Sequence, residues 1–283
     1  MTNNLFYISV FLFLMLTSCS EQKLNKDQTF KSEEEIDKTE STVSKDDVEE
    51  GVSLELSTNI QKNVNVSCWK GLIDAKIAVE LCYQFFDDIV FGEILYPQSK
   101  TPIPIQVIGT IAEDSKYIEL REFDRKGLIT GLISGIPLDD EFNPEWFNPS
   151  TQKARRMTLV PLDTLVQDYN INGIIDEVKG QYYYAYGPKG YSGDLEVLNK
   201  VGNEIQVRML STTGETSGYN IAELELTSAI LNKNLAKVNY PYNDECKIYI
   251  AFYKNFAYVK QAFCDGEFGH NATLEGIYYK LKI

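Results

Sequence analysis

Residues 64–83 read VNVSCWKGLIDAKIAVELCY, and this stretch decides the fold class. Two runs of alternating apolar and polar residues flank Ile73-Asp74-Ala75, the pattern of strand, turn and strand. A turn centred near Ala75 sets Lys70 opposite Glu80, Trp69 opposite Leu81 and Cys68 opposite Cys82. Trp69, Val79 and Leu81 then share the core face and the two cysteines share the other. A cross-strand disulfide suits the short Cα spacing of a non-hydrogen-bonded antiparallel pair.

Outward from this hairpin, strands are expected over Ile89–Leu95, Ile103–Ile111, Tyr117–Phe123, Leu128–Ile133 and Met157–Val160. Gly92, Gly109, Gly127 and Gly131 read as turn or bulge positions, and Pro97, Pro102 and Pro104 as a strand entry or edge. Short strands at steps of about ten residues specify an antiparallel sandwich or barrel rather than alternating β and α.

A second set begins at Gly180: Gln181–Tyr186, Gly193–Leu198, Glu204–Leu210, Ile221–Leu226 and Leu235–Asn239. It ends in a hairpin from Cys246 to Cys264 that turns at Lys254-Asn255, followed by a last strand, Thr273–Leu281. A two-residue loop there pairs Ile250 with Val259 and Phe252 with Ala257. That leaves Cys246 opposite Phe263, one place short of Cys264, which a bulge would repair. The chain therefore reads as mainly β, with two small antiparallel β-barrel or sandwich modules. The expected boundaries are 52–160 for the first module, 161–177 for a linker and 178–283 for the second. The linker carries a short helix, Asp163–Tyr169, with Asp163 as its N-cap.

The start of the chain is of another kind. Leu5–Leu16 is a twelve-residue apolar run, too short for an ordinary spanning helix and of signal-peptide length. It ends in Leu16-Thr17-Ser18-Cys19, which looks like the lipobox of a bacterial lipoprotein precursor. The resemblance implies a signal peptide at 1–18 and a lipidated, palmitate-bearing Cys19 as mature N-terminus. Several acyl chains on one cysteine give stable membrane anchoring, and Ser20 is compatible with sorting to the outer membrane. Residues 20–50 hold eleven acids against five lysines, net −6, and too few apolar residues to offset ordering entropy. The segment 19–51 is thus read as a lipidated, acidic, disordered tether, with a reach on the order of 30 Å as a coil.

The first module resembles a group of Bacteroidetes envelope lipoproteins. Their pattern is matched by Trp69-Lys70-Gly71, Gly92-Glu93-Ile94-Leu95-Tyr96, Glu119-Leu120-Arg121-Glu122, Thr130 to Gly135, and Trp146. Phe268-Gly269-His270-Asn271 with Gly276, Tyr278 and Lys280 resembles the ending of the same group. More distantly, that ending is similar to small disulfide-closed barrels of the lysozyme-inhibitor type. No plug loop of those inhibitors occurs here, and the resemblance carries over no catalytic residue.

Five cysteines, less a lipidated Cys19, leave four. Of the three possible pairings, the local one is Cys68–Cys82 with Cys246–Cys264, and export permits oxidation. A net charge of −14 argues against nucleic acid and against lying on anionic lipid. One histidine, His270, limits any Ser-His-Asp or Cys-His catalyst to a single residue in a Gly-rich loop. No zinc, P-loop or dinucleotide motif occurs, so no metal, cofactor or catalytic residue is assigned. Asp87/Asp88 and Asp139/Asp140 are adjacent acid pairs of the sort that usually stay solvated.

Two aromatic groups stand out as binding candidates. Phe142, Trp146 and Phe147 lie in Asp139–Arg156, read as a long irregular loop. They read first as rings that cap the barrel end and second as a binding platform. Tyr182, Tyr184 and Tyr186 read first as one aromatic strand and second as a stacking surface for sugar rings. His270 and Asn271 complete the set. The function expected is a non-enzymatic binding or structural module, lipid-anchored in the bacterial envelope. An inhibitor of a cationic hydrolase such as lysozyme comes second, and a carbohydrate-binding or carbohydrate-processing protein third. The expected partners follow: the membrane through Cys19, and an envelope protein, a cationic hydrolase or a glycan.

Overall fold

Strand after strand, residues of one parity turn inward and those of the other turn out, and the inward sets close into two cores. In the computed structural model, residues 66–112, 114–163, 178–215 and 218–282 are described. The export segment, the tether and residues 164–169 of the expected helix lie outside them.

The first barrel runs β1 (Ser67–Ile73), β2 (Ile77–Phe86), β3 (Ile89–Leu95), β4 (Ile105–Ala112) and β5 (Tyr117–Phe123). It continues with β6 (Ile129–Gly135), β7 (Glu145–Asn148) and β8 (Lys153–Pro161), and β8 pairs back onto β1. The second runs β9 (Gly180–Ala185), β10 (Ser192–Val201), β11 (Glu204–Thr212) and β12 (Ile221–Asn232). Then come β13 (Leu235–Asn239), β14 (Lys247–Phe252), β15 (Phe256–Ala262) and β16 (Gly276–Lys280), and β16 closes on β9. Both are closed antiparallel barrels of eight strands, each paired to its sequence neighbours. Closure leaves neither barrel an unpaired edge.

The opening hairpin has the expected register, with Cys68 opposite Cys82, Trp69 opposite Leu81 and Lys70 opposite Glu80. Asp74 and Ala75 both take left-handed backbone in its turn, with φ of 50° and 54°. Trp69, Val79 and Leu81 are buried in the first core, and Cys68 is disulfide-bonded to Cys82 across a Cα separation of 4.1 Å. In the last hairpin Ile250 faces Val259 and Phe252 faces Ala257. Beyond Ala262, Phe263 adopts φ 57° and turns its ring to solvent. That reversal brings Cys264 to Cys246, with Cα atoms 4.5 Å apart and the disulfide formed.

Two expectations are corrected. Gly92 and Gly109 are not at turns or bulges but inside β3 and β4, in unbroken register. A Cβ on Gly92 would stand 2.0 Å from the Cys82 carbonyl oxygen, and one on Gly109 1.8 Å from that of Glu119. The neighbouring backbone comes so close there that only glycine fits. The stretch Asp139–Arg156 is not one irregular loop either. It supplies β7 and the start of β8. Pro144 and Pro149 bracket four residues that read as loop in isolation, yet β7 pairs with both β6 and β8 to close the wall.

The barrels lie against each other. Ile89, Phe91, Ile108, Phe123 and Ile129 of the first join the apolar cluster of the second. Phe91 stacks on Phe256 with centroids 5.7 Å apart, and Phe123 on Tyr279 at 5.6 Å. At the seam Leu128 bridges Ala185 in parallel, and Lys260 forms an ion pair with Asp88.

Candidate functional site

In β5 the inward residues are Ile118, Leu120 and Glu122, so Arg121 points out of the first barrel. In an isolated barrel that side chain would be solvated. Here the second barrel covers it, leaving the side chain 16% exposed. Its Nε–H donates to the Tyr186 hydroxyl at 2.8 Å, and Nη2 is paired with Glu119 Oε1 at 2.6 Å. Nη1 is buried and has no hydrogen-bond partner, the sole such side-chain atom among the described residues. Burial works against the guanidinium charge, but Tyr186 and Glu119 outweigh it and hold the pKa above the ordinary arginine value. A buried, charged donor left unpaired is costly and calls for an explanation.

Arg121 lines a cleft of about 430 Å³ between the barrels, with Phe147 from β7, Tyr184 and Tyr186 from the end of β9, Tyr191, and Glu275. Tyr184 meets Tyr186 edge-on at 5.9 Å and Tyr278 at 4.9 Å, which fixes its ring. Burial, then the neighbouring Tyr186, raises the Tyr184 hydroxyl pKa far above its usual value, so it remains a neutral donor. An apolar, aromatic wall with a few polar groups, within the usual size range, is the make-up of a small-ligand site.

A second cavity of about 430 Å³ adjoins the first and shares Thr273 and Glu275 with it. It is lined by Gln261 near the end of β15 and by the β15–β16 loop, including Asp265, His270 and Asn271. Gln261 Oε1 accepts from the Leu274 N–H at 2.8 Å, and Gln261 N–H donates to Glu275 Oε1 at 2.9 Å. Asn220 Nδ2–H donates to the His270 carbonyl at 2.7 Å. The loop is therefore tied at several points as well as by the Cys246–Cys264 bond. His270 itself is exposed.

A third cleft, of about 1030 Å³, is lined by Glu93, Tyr96, Glu122 and Thr130 of the first barrel and by Asn255 and Tyr279 of the second. Here the Glu122 carboxylate accepts from the Tyr96 hydroxyl at 2.8 Å, Thr130 Oγ1 at 2.9 Å and Trp146 Nε1 at 3.4 Å. A Cβ on Gly131 would sit 2.5 Å from that Trp146 nitrogen. Of the residues that carried the sequence pattern of the first module, Tyr96, Glu122, Thr130, Gly131 and Trp146 therefore meet in one polar cluster. Burial, then Glu122, raises the Tyr96 pKa well above its ordinary value. With three donors on one carboxylate, the cluster is satisfied and ties β5 to the end of β3, to β6 and to β7. The Arg121 cleft is the one with an unmet bond.

The sequence-derived candidates separate clearly. Phe142 is in the core of the first barrel, tilted against Trp69 at 5.6 Å. Trp146 points in to Glu122. Tyr182 is in the core of the second barrel, its hydroxyl donating to the Val178 carbonyl at 2.7 Å. Phe147, Tyr184 and Tyr186, drawn from both modules, meet in the Arg121 cleft, and His270 and Asn271 line the cavity next to it. Asp88 is engaged by Lys260, and Asp87 has its pKa raised by burial and then by Asp88. Arg121, Tyr191 and Glu275 were not anticipated. The one available signal was an arginine at an outward strand position between Glu119 and Glu122. Among the described residues no group of three or more His, Cys, Asp or Glu side chains is placed to hold a metal ion. No family model, curated protein or solved structure matches this chain.

Proposed function

We propose that the chain is a lipid-anchored bacterial envelope protein whose twin-barrel body binds a ligand, without catalysis, in the cleft at the barrel seam. The observation that carries this reading is Arg121 Nη1, a charged donor with no partner on a guanidinium that lines an aromatic cleft. The anchor rests on Leu16-Thr17-Ser18-Cys19, and the two disulfides support export, since such bonds persist in oxidising compartments. Pairing of four of five cysteines also leaves Cys19 as the one over.

Two experiments test the two parts. Full chain purified in detergent is screened by thermal shift against glycan, peptide and lipid-headgroup fractions of the envelope. At least one fraction raises the wild-type melting temperature, and Tyr191→Ala and Phe147→Ala abolish the rise. If no fraction moves the wild type, the cleft is not a binding site. Palmitate labelling and globomycin-sensitive processing report the anchor, and normal processing of a Cys19→Ala variant would sink it.

A second reading, inhibition of a cationic hydrolase, draws on the outer face of β12. There Glu225, then Glu223, raises the pKa of the exposed Tyr242 hydroxyl, and Tyr240 is raised by burial, then by Glu267. Loss of lysozyme activity on adding the purified chain supports this reading, and full activity removes it.

A further inference from the structure

Resting on the binding role of the seam cleft, we infer that its ligand is an uncharged saccharide bearing an N-acyl group. The amide carbonyl supplies the acceptor that Arg121 lacks, directly or through one ordered water.

Charge decides first. The Arg121 cation is already matched by Glu119 at 2.6 Å, Glu275 forms part of the cleft wall, and the chain carries net −14. A carboxylate or phosphate entering here would meet two acids for one cation, an arrangement that disfavours binding. What Nη1–H needs is a neutral acceptor, and an amide oxygen is the strongest common one. A cationic ligand would in turn be set against the buried guanidinium.

Shape decides next. A peptide's main route onto β proteins is to add a strand to a free edge, and both barrels are closed. A pyranose instead offers apolar C–H faces to aromatic rings and hydroxyls to short polar groups. The cleft presents Phe147, Tyr186 and Tyr191 for the former, and Gln152, Thr273 and Glu275 for the latter. Thr273 and Glu275 also border the cavity of His270 and Asn271, so further sugar units leaving the cleft have a second polar cavity beside it.

Calorimetric titration of the full chain in detergent with four trimers tests this. Triacetylchitotriose is neutral and N-acylated, its deacetylated form is cationic, cellotriose is neutral without acyl groups, and trigalacturonate is anionic. Triacetylchitotriose is expected to bind at least about tenfold more tightly than each of the others, a step of one Kd decade. Arg121→Met and Tyr191→Ala each weaken it by about tenfold or more. Should Arg121→Met not fold, the exposed-rim variant Tyr191→Ala carries the test. Equal binding of cellotriose overturns the acyl requirement. Preferred binding of trigalacturonate that is lost in Tyr191→Ala overturns the neutral-ligand inference and leaves the cleft as a binding site. No binding by any trimer overturns the saccharide inference, and the envelope-fraction screen then decides the cleft separately.

Discussion

Arg121 of the first barrel donates from Nε to the hydroxyl of Tyr186 in the second, 65 residues further along the chain, at 2.8 Å. The bond joins two modules through a group that one module alone would leave in water. The same guanidinium keeps Nη1 unpaired and buried. A buried, charged donor without a partner is an exception among native polar groups and marks the cleft as a place where an acceptor is expected.

This yields a stability test of role. Removing one partner of an ion pair is costly when it leaves the other charge buried, but Glu119, at 43% exposure, stays hydrated without its partner. Arg121→Met, which also loses the bond to Tyr186, is therefore expected to change the unfolding free energy by no more than about 1–2 kcal/mol, while ligand binding weakens. A loss of several kcal/mol in a urea melt would instead make Arg121 a structural pin.

The seam makes the barrels cooperative. Phe256 is fully buried and stacks on Phe91 of the other barrel. Phe256→Ala is expected to cost about 3–5 kcal/mol, and wild type should unfold in one transition by both tryptophan fluorescence and far-UV circular dichroism. Two separated wild-type transitions would show that the barrels are independent.

The Glu122 cluster makes a local prediction. With Gly131 replaced by Ala, the new Cβ falls 2.5 Å from Trp146 Nε1 and 2.7 Å from Glu122 Oε2. Gly131→Ala should cost about 1–3 kcal/mol by overpacking and shift the Trp146 emission. An unchanged spectrum with unchanged stability would deny the contact.

Alkaline stability follows from a buried tyrosine. Burial pushes the Tyr83 pKa from 10.0 up to about 12, partly offset by the bond from Trp69. A group whose pKa is raised in the folded state contributes fully below the unfolded value and loses that contribution as pH climbs through the folded one. Stability from Tyr83 is thus present below pH 10.0 and lost towards about pH 12, at a slope near 1.4 kcal/mol per pH unit. Tyr83→Phe should flatten the fall in unfolding free energy above pH 10, and an identical slope in the variant would refute the assignment.

The disulfides close short loops, with sequence separations of 14 and 18. Each should be worth about 3 kcal/mol under the loop-entropy model. Reduction of the full chain in denaturant titrations should lower the midpoint, and the Cys68→Ala, Cys82→Ala double variant should account for about half of that change.

Local rules reach far in this protein. Period-two alternation and a short turn are enough to pair Cys68 with Cys82 and to turn Trp69 inward, because a strand's side-chain faces depend only on residues two apart. The same counting assigns Ile250 to Val259 and locates the irregularity near Phe263. Locality fails where an element is too short to declare itself. The four residues of β7 form a strand by pairing with both β6 and β8, and Gly92 and Gly109 read as punctuation although they mark places within strands where the neighbouring backbone comes close.

Read alone, the sequence points to two β modules, the registers of the hairpin that opens the first and of the one near the end of the second, a local cysteine pairing among three, and a lipobox-like start. Only the tertiary structure decided which outward-facing residues are covered. Arg121 and Phe147 each occupy a strand position that alternation assigns to solvent, and Tyr186 lies just past the end of β9. Alternation describes one sheet and carries no information about a second barrel laid against it. The cleft exists because two outer surfaces meet, and its unmet Arg121 donor exists for the same reason.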